Sequence, residues 1–204
     1  MVLRHRVRDL VLASWETDAD RVARVLPAGL EPATVDGRHL VTVAALRWAG
    51  GRLGVLPVPR FSQVNVRVYA RHGGETAVVF LALRVSLLGM GGALFGFPVR
   101  PVRARVRAGI AAAPGFGIEL RYEPLGPASP SELGSHELGL FQAAGLRELH
   151  VRRGDASWQR AEPVGAVRAD PLLALGFALD RPPELRYAAA ASFETELPAG
   201  RVGT

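Results

Sequence analysis

Three polar side chains share one face of a predicted strand near the middle of the chain. Asn65, Arg67 and Tyr69 alternate with valines. Side chains alternate across a strand, so these three project to the same side. An arginine guanidinium can hold a carboxylate through two parallel hydrogen bonds. The face predicts either the wall of a cavity that binds a polar or anionic ligand, or a solvated outer surface, and the pattern leaves both open.

Other arginines are candidates for the same chemistry. Arg84 lies in an otherwise apolar strand, where a charge needs a partner or water. An internal ion pair is favoured there over a position facing an anion in a cavity. Arg103, Arg105 and Arg107 form a one-sided stripe, for which a solvated strand face is favoured over an inward-facing one. Trp158 is interpreted as an aromatic side chain of the core or of a cavity wall.

Residue types that the sequence lacks exclude several mechanisms. None of the 204 residues is a cysteine or a lysine, and all 25 basic residues are arginine. Disulfides, thiolate nucleophiles, zinc–thiolate sites, Walker-type phosphate loops and lysine imines are therefore excluded. The histidines lack metal-ligand spacing, and neither a G-x-S-x-G serine motif nor a dinucleotide fingerprint occurs. We predict no metal, no cofactor and no assignable catalytic residue.

The charge pattern argues against nucleic acid as a partner. The net charge is +6, but the arginines are spread along the chain and aromatic residues make up only 7%. The apolar stretch Ala77–Phe97 contains Arg84 and four glycines, so a buried strand followed by a glycine-rich helix is favoured over a membrane span. Without a signal-peptide pattern or cysteines, we expect a cytoplasmic protein with no membrane partner.

Short strands predominate among the elements that must position these side chains. Hydrophobic alternation predicts strands at Val7–Trp15, Ala33–Val35, His39–Trp48, Ser62–Arg71, Thr76–Ser86, Val102–Ala108, Ile118–Tyr122, Leu146–Val151, Ala156–Ala161 and Glu184–Thr195. Helices are predicted at Ala19–Leu26 after an Asp18 N-cap, at Leu87–Phe95, around Glu132–Gln142, and at Leu172–Phe177 after an Asp170 N-cap.

Turn signals complete this outline. Asp36-Gly37 predicts a tight hairpin, Arg153-Gly154-Asp155 a second one, and Ala49–Arg60 and Pro124–Ser131 are predicted loops. Strands this numerous, mostly joined by hairpins, are typical of a barrel or sandwich. Neither an internal repeat nor a linker occurs, so residues 1–204 are predicted to form a single domain.

Several of these segments resemble a known family. Leu26-Pro27-Ala28-Gly29-Leu30, Asp36-Gly37-Arg38 and Asn65-Val66-Arg67-Val68-Tyr69 are similar to the L-P-x-G-L, F-D-G and L-N-V-R-T-Y-V motifs of the YqjF-like bacterial family, domain of unknown function 2071. Trp158 and Asp170–Leu175 match its C-terminal half more loosely, and the resemblance spans nearly the whole chain. It implies an α+β fold of the acetoacetate decarboxylase-like type, a cone-shaped, mostly antiparallel β-barrel with a central cavity and short flanking helices.

The same resemblance argues against the parent chemistry. Gly96-Phe97-Pro98-Val99-Arg100 looks like the Y-P-K-K segment that carries the imine-forming lysine of acetoacetate decarboxylases. Val99 and Arg100 stand at the two lysine positions. Val99 has no amine and Arg100 stays protonated, so neither side chain can form an imine. Arg84 stands where the family often has an acidic residue, which reverses the charge expected there.

Taken together, the candidates favour a binding protein over an enzyme. The candidate ligand-binding residues are Asn65, Arg67, Tyr69, Arg84, Arg100, Arg103, Arg105 and Trp158. We predict a protein that holds a small polar or anionic molecule, such as a carboxylate or keto acid, in a barrel cavity. The alternative is an imine-independent enzyme that uses Glu16, Glu119 or Glu123 as acid or base. A homodimer is expected by resemblance only.

Overall fold

A computed structural model of the chain describes residues 1–129, 131–133, 135–143, 145–197 and 200–201, the last two by their backbone alone. Within these ranges the strands are β1 (Val2–Thr17), β2 (Glu31–Pro32), β3 (His39–Leu53), β4 (Leu56–Val58), β5 (Phe61–His72), β6 (Glu75–Val85), β7 (Val99–Pro101), β8 (Arg105–Arg107), β9 (Ile110–Ala113), β10 (Ile118–Pro127), β11 (Leu138–Ala143), β12 (Gly145–Pro163), β13 (Arg168–Ala169), β14 (Glu184–Glu196) and β15 (Gly200–Arg201). The α-helices are α1 (Ala19–Val25) and α2 (Asp170–Ala174), and 3₁₀ helices span Leu87–Phe95 and Pro114–Phe116.

Seven of these strands close into a ring. The hydrogen-bonded order is β11-β6-β5-β3-β1-β14-β12, and β12 pairs in turn with β11. Every contact in the ring is antiparallel except β6–β11, which is parallel and joins only residues 78–80 to residues 139–141. The fold is therefore a mostly antiparallel β-barrel with short flanking helices, closed by a brief parallel seam.

A bulge keeps one face of β1 directed inward along its whole length. Leu3, His5 and Val7 face the cavity, and after the bulge Leu10 and Leu12 do so. The extra residue, Asp9, has a φ of 53°, a value that a residue other than glycine adopts only with support. Arg47 and Tyr187 supply that support by donating hydrogen bonds to the two carboxylate oxygens of Asp9.

The outer face of β3, β5 and β6 is also buried. Val64, Val66 and Val68 of β5 are completely shielded from solvent by a second layer that includes α1, β8–β10 and α2. Because one face packs against this layer and the other lines the barrel, the apolar residues of β5 build the core and its polar ones turn inward.

Several local predictions are confirmed. Asp36 and Gly37 both have positive φ, as the predicted tight turn requires. Asp18 caps α1 by accepting a hydrogen bond from the backbone N–H of Arg21 at 2.8 Å. The glycine-rich segment Leu87–Phe95 is helical. At α2 the predicted cap is displaced by one residue, because Ala169 occupies the N-cap position and Asp170 begins the helix.

Two predicted loops are wrong. Most of Ala49–Arg60 continues β3 to Leu53 and returns as β4. Gly51 permits this because a Cβ there would lie 2.5 Å from the carbonyl oxygen of Arg4, so only glycine lets β3 pass β1 at this point. The predicted Pro124–Ser131 loop is replaced in its first half by the end of β10, which reaches Pro127.

Three other element predictions also fail. The Arg153-Gly154-Asp155 hairpin is absent, since these residues form a bulged stretch inside the single long strand β12, which stays paired with β14 on both sides. The helix predicted around Glu132–Gln142 is not formed by the described residues of this range, since those from Leu138 onward belong to β11, which closes the ring between β6 and β12, and Gly134 lies outside the described residues. The strand Val102–Ala108 shortens to β8 (Arg105–Arg107).

None of the helices in the described ranges is long and apolar enough to cross a membrane. The segment Ala77–Phe97 is divided between the strand β6 and the 3₁₀ helix Leu87–Phe95.

Candidate functional site

A cavity of about 470 Å³ lies inside the barrel. The seven strands of the ring, β1, β3, β5, β6, β11, β12 and β14, form its wall, and β4 and the helix Leu87–Phe95 border its mouth. The lining is mostly aliphatic and aromatic, with a few polar side chains. A volume and a lining of this kind are typical of sites that enclose a small organic molecule.

Strand β5 supplies polar groups to this cavity. Phe61, Gln63, Asn65 and Arg67 line it in succession, one from every second residue. The strand alternates because its valines fill the outer core, which leaves only the inward face for amide and guanidinium groups. Asn65 is 1% exposed, so its amide is fully withdrawn from solvent.

The pairing of the strands shows which lining residues lie near the mouth of the cavity and which lie deep inside it. Near the mouth, Leu53 of β3 pairs with Leu3 of β1. Further in, Ala44 of β3 pairs with Asn65 of β5. Arg67 lies one inward-facing position beyond Asn65, so the guanidinium belongs to the deep half of the cavity and the leucine pair to the outer half.

Buried polar atoms without hydrogen-bond partners gather in this cavity. Five of its lining residues contribute such atoms, namely His5 Nδ1, Asn65 Oδ1, Arg67 Nε and Nη2, His136 Nε2 and Trp158 Nε1. Each buried polar group left unpaired costs about 1–3 kcal/mol. Such a concentration at one place is typical of a site completed by a ligand or by water.

The unpaired edge of Arg67 matches an edge that binds a carboxylate elsewhere in this protein. Nε and Nη2 of Arg47 both donate to one carboxylate oxygen of Asp9, at 3.2 and 2.9 Å. In Arg67 the same two nitrogens are buried and have no acceptor. None of the residues found to line the cavity is Asp or Glu. The described part of the wall therefore offers positive charge without a carboxylate to neutralise it.

Two aromatic rings accompany Arg67. The guanidinium carbon lies 5.8 Å from the ring centre of Tyr69, whose ring is in turn 5.2 Å from the ring of His136. Burial, followed by the positive charge of Arg67, lowers the pKa of His136. The imidazole is therefore biased toward its neutral form, which can offer a donor or an acceptor to a ligand.

A hairpin turn outside the cavity anchors the segment that carries His136. Asp36 accepts hydrogen bonds from the Ser131 hydroxyl and from the backbone N–H of Glu132. Leu133, two per cent exposed, inserts into the same apolar cluster as Tyr69. Leu133 and His136 thus both lie at the deep end of the barrel, Leu133 in this apolar cluster and His136 beside the ring of Tyr69.

His5 is the titratable group of the outer half. Its ring stacks on Trp48 at 3.9 Å and on Phe193 at 5.4 Å. Burial lowers the pKa of His5 from 6.5 to about 4, so the ring is neutral near neutral pH. It contributes an aromatic surface with one unpaired nitrogen and no charge.

Three of the predicted candidates line the cavity. Asn65, Arg67 and Trp158 do so. Tyr69 shares their face but is completely buried in the wall behind them, and its hydroxyl lies 3.4 Å from Thr42 Oγ1. Of the two positions considered for the Asn65–Tyr69 face, the structure places it inside the barrel.

The remaining candidates lie away from the cavity, which corrects the prediction. Arg84 points to the outer side of β6, and instead of an ion pair its guanidinium stacks 4.6 Å above the ring of Phe116. Arg100, in the adjacent strand β7, is paired with Arg84 and is exposed. Arg103 and Arg105 are exposed and border a separate surface groove, in agreement with the solvated strand face. Strand alternation directs Arg84, Arg100 and Arg105 outward, whereas Arg103 lies before β8 begins.

Two functional candidates were missed by sequence reasoning. His136 was placed in a predicted helix, and no local motif marks its position near Arg67. His5 could have been found, because it alternates with Leu3 and Val7 in the first residues of β1, which the prediction left out of the strand. Gln63 was at the start of the predicted strand, and its amide oxygen accepts a hydrogen bond from Trp48 Nε1 at 2.9 Å.

The segment similar to the lysine motif does reach the cavity. Phe97 and Val99 line it, while Arg100 faces away. An aliphatic side chain therefore occupies the inward position. Among the described residues, no cluster of three or more His, Asp or Glu could hold a metal ion.

Solved structures share this architecture. An acetoacetate decarboxylase-like enzyme from Sphingomonas wittichii RW1 is 19% identical, with a TM-score of 0.67 over 99% of this chain and 93% of that one. Acetoacetate decarboxylase from Legionella pneumophila is 14% identical, with a TM-score of 0.67 over 99% and 87%. The enduracididine biosynthesis enzyme MppR complexed with pyruvate is 15% identical, with a TM-score of 0.62 over 98% and 90%. Identities this low establish the fold alone.

Comparison at the sequence level identifies the family. None of the curated proteins matches the chain. A family model, DUF2071, described as an uncharacterised conserved protein, matches residues 4–189. This range includes nearly the whole barrel and, among the side chains discussed above, leaves out only Leu3 and Phe193. The chain therefore belongs to the DUF2071 family.

Proposed function

We propose that this protein binds a small organic acid in its barrel cavity, holding the carboxylate on Arg67 without forming a covalent bond. The main observation behind this proposal is the buried Nε–Nη2 edge of Arg67, a residue that lines the cavity; within the described part of the chain, neither nitrogen has an acceptor. Two buried N–H donors of a guanidinium need an anion or water, and their planar edge matches the two oxygens of a carboxylate.

The groups around Arg67 support an organic anion over an inorganic one. Asn65, His136 and Trp158 add neutral polar atoms to the cavity, while most of the remaining wall is aliphatic or aromatic. Such a mixture suits a molecule with one charged end and an organic body. MppR, which has the same fold, is complexed with pyruvate, a carboxylate small enough to fit a cavity of this size.

The sequence contains no lysine, so an imine to a carbonyl ligand cannot contribute to binding. The alternative of an enzyme with a carboxylate acid or base finds no support among the residues considered for it. Glu16, Glu119 and Glu123 are all exposed and lie outside the cavity.

Titration calorimetry with pyruvate, acetoacetate and octanoate tests the proposal. Arg67→Met should weaken binding roughly thirtyfold or more, since removing one partner of a buried charge pair costs about 2–5 kcal/mol. Arg84→Met is the matched control, because Arg84 is a half-buried arginine on the neighbouring strand that faces outward. Equal affinities in the Arg67 variant and the parent protein would refute the proposal, as would failure of every acid to bind.

A further inference from the structure

The two halves of the cavity differ in polarity. The deep half holds the unpaired atoms of Asn65, Arg67, His136 and Trp158. The outer half is walled mainly by Leu53, Trp48, Phe61, Phe95, Phe97 and Val99.

Little in the outer half is left for a polar ligand group to bind. Gln63 already accepts the hydrogen bond of Trp48, and the ring of His5 is covered by its stack on Trp48. The unpaired His5 Nδ1 and the side chain of Thr195, which pairs with Leu3, are the polar groups left there. A ligand that fills the whole cavity must therefore be charged at one end and apolar along most of its length.

The mouth of the cavity exposes apolar side chains to solvent. Leu56, Leu88 and Leu94, called the rim leucines below, line the cavity and are 63%, 65% and 87% exposed. Apolar surface next to a cavity is stabilised when it is covered by apolar material. A ligand chain that extends to the mouth would cover the inner sides of these leucines.

The distance between the charged end and the mouth sets the length of the ligand. Phe61, at the outer end of β5, and Arg67 are six residues apart, or about 20 Å along an extended strand. The arginine side chain takes up part of this distance. The remainder corresponds to on the order of ten to fifteen carbon–carbon bonds, at roughly 1.2 Å per bond of an extended chain.

We propose that the ligand is a monocarboxylic acid with a long apolar chain, which enters acid first and lays the chain along the outer half as far as the rim leucines. This inference rests on the proposed function, since it assigns the carboxylate to Arg67. To that function it adds that the acid has a long apolar chain, and it assigns the direction and the length of that chain. Short acids such as pyruvate would then use the deep half alone.

A chain-length series tests the inference. Butanoate, octanoate, dodecanoate and hexadecanoate are titrated below their micelle concentrations, with the fluorescence of the cavity residues Trp48 and Trp158 as the signal. Each added methylene should tighten binding about threefold to fourfold while the chain remains inside the cavity. The gain should stop once the chain passes the rim. Alkyl amines of equal length serve as charge-reversed controls and should bind far more weakly.

Two variants locate the two ends of the bound acid. Arg67→Met should weaken all acids by a similar factor, because every one of them places its carboxylate there. Leu88→Ala should weaken only the acids long enough to reach the mouth. Leu87→Ala is its matched control, since Leu87 is the adjacent, 78% exposed residue of the same helix and does not line the cavity.

The outcomes separate this inference from the proposed function. If Arg67→Met abolishes butanoate binding but affinity does not rise with chain length, the long-chain ligand is refuted and the acid-binding function stands. If affinity rises with length but Arg67→Met has no effect, or amines bind as well as acids, the carboxylate assignment is refuted and both proposals fail. If Leu88→Ala weakens butanoate as much as dodecanoate, the acid-first direction is overturned.

Discussion

Asp36 and Glu132 join two parts of the chain that are far apart in sequence, through a hydrogen bond of 2.9 Å from the backbone N–H of Glu132 to Asp36 Oδ1. Asp36 belongs to the tight turn before β3, and Glu132 lies in the segment that brings His136 to the deep end of the cavity. The position of a cavity side chain therefore depends on a turn residue outside the cavity. Asp36 is a positioning residue in this arrangement.

Replacing Asp36 by alanine should loosen that segment. The variant loses the acceptors for Ser131 and Glu132, so we expect the free energy of unfolding to fall by about 0.5–1.5 kcal/mol. Hydrogen exchange of the amides at 131–133 and 135–137 should accelerate, and acid binding should weaken. Asp36→Asn keeps one acceptor and the tolerance for positive φ, so its effect should be smaller. Asp155→Ala, at an exposed position of β12, is the control. Unchanged exchange of the same amides in Asp36→Ala would contradict the anchoring role.

Arg67→Met should make the ligand-free protein more stable while removing its ability to bind acids. The guanidinium is buried at Nε and Nη2 without acceptors, and methionine is an unbranched side chain that fills the same space without a charge. We expect a gain of roughly 1 kcal/mol or more in urea unfolding. Arg84→Met should bring no such gain, because it gives up the stacking on Phe116. A less stable Arg67 variant would mean that the charge is already satisfied in the free protein.

Much of the barrel could be predicted because apolar and polar residues alternate along its strands. The Asp36-Gly37 turn, the strand that carries Asn65 and Arg67, and the helix Leu87–Phe95 all follow from local patterns. The element predictions that failed concern segments whose structure depends on contacts with parts of the chain distant in sequence. Gly154 sits in a bulge of β12 rather than in a turn, and β11 forms a strand because its backbone joins β6 and β12.

The candidate site was predicted in its centre and missed at its edges. Arg67 was among the candidates because it shares a polar face with Asn65 and Tyr69, but alternation alone left open whether that face lined a cavity or met solvent. Arg84 shows the limit of that reasoning, since its strand also alternates but the barrel places its face outward. His136 approaches Arg67 through a segment anchored from Asp36, a contact that no sequence spacing records.

Gly89→Ala should disturb the mouth of the cavity. A Cβ at this position would lie 2.6 Å from Phe61 Cδ2 and 2.8 Å from Val85 Cβ, so the helix Leu87–Phe95 must shift away from β5. Overpacking of this kind costs about 1–3 kcal/mol, measurable by urea unfolding. Gly91→Ala is the matched control on the same helix, because nothing lies within 4 Å of its added Cβ. Equal stability of the two variants would show that the helix does not pack closely on β5.

His5 should make the protein less stable in mild acid. Its pKa is about 4 in the folded protein and 6.5 as a free side chain, so between these values the unfolded chain binds a proton that the folded one does not. Stability is therefore lost as pH falls from about 6.5 to about 4, by up to roughly 3 kcal/mol. His5→Phe keeps a ring beside Trp48 and should flatten this part of the pH profile in urea unfolding. An unchanged profile in the variant would assign the acid sensitivity to other groups.

Binding of an acid should be accompanied by proton uptake at His136. In the free protein, burial and then the positive charge of Arg67 lower the pKa of this histidine. A carboxylate on Arg67 places negative charge close to the ring and offsets that repulsion, so the pKa of His136 rises on binding. At pH values between the free and the bound pKa of His136, the complex is more protonated than the free protein, and affinity therefore increases as pH falls through that window.

Calorimetry in phosphate and in Tris buffer measures the proton uptake. The uptake should vanish in His136→Gln and persist in His150→Gln, whose ring is exposed on β12. Proton release on binding would place the carboxylate away from His136.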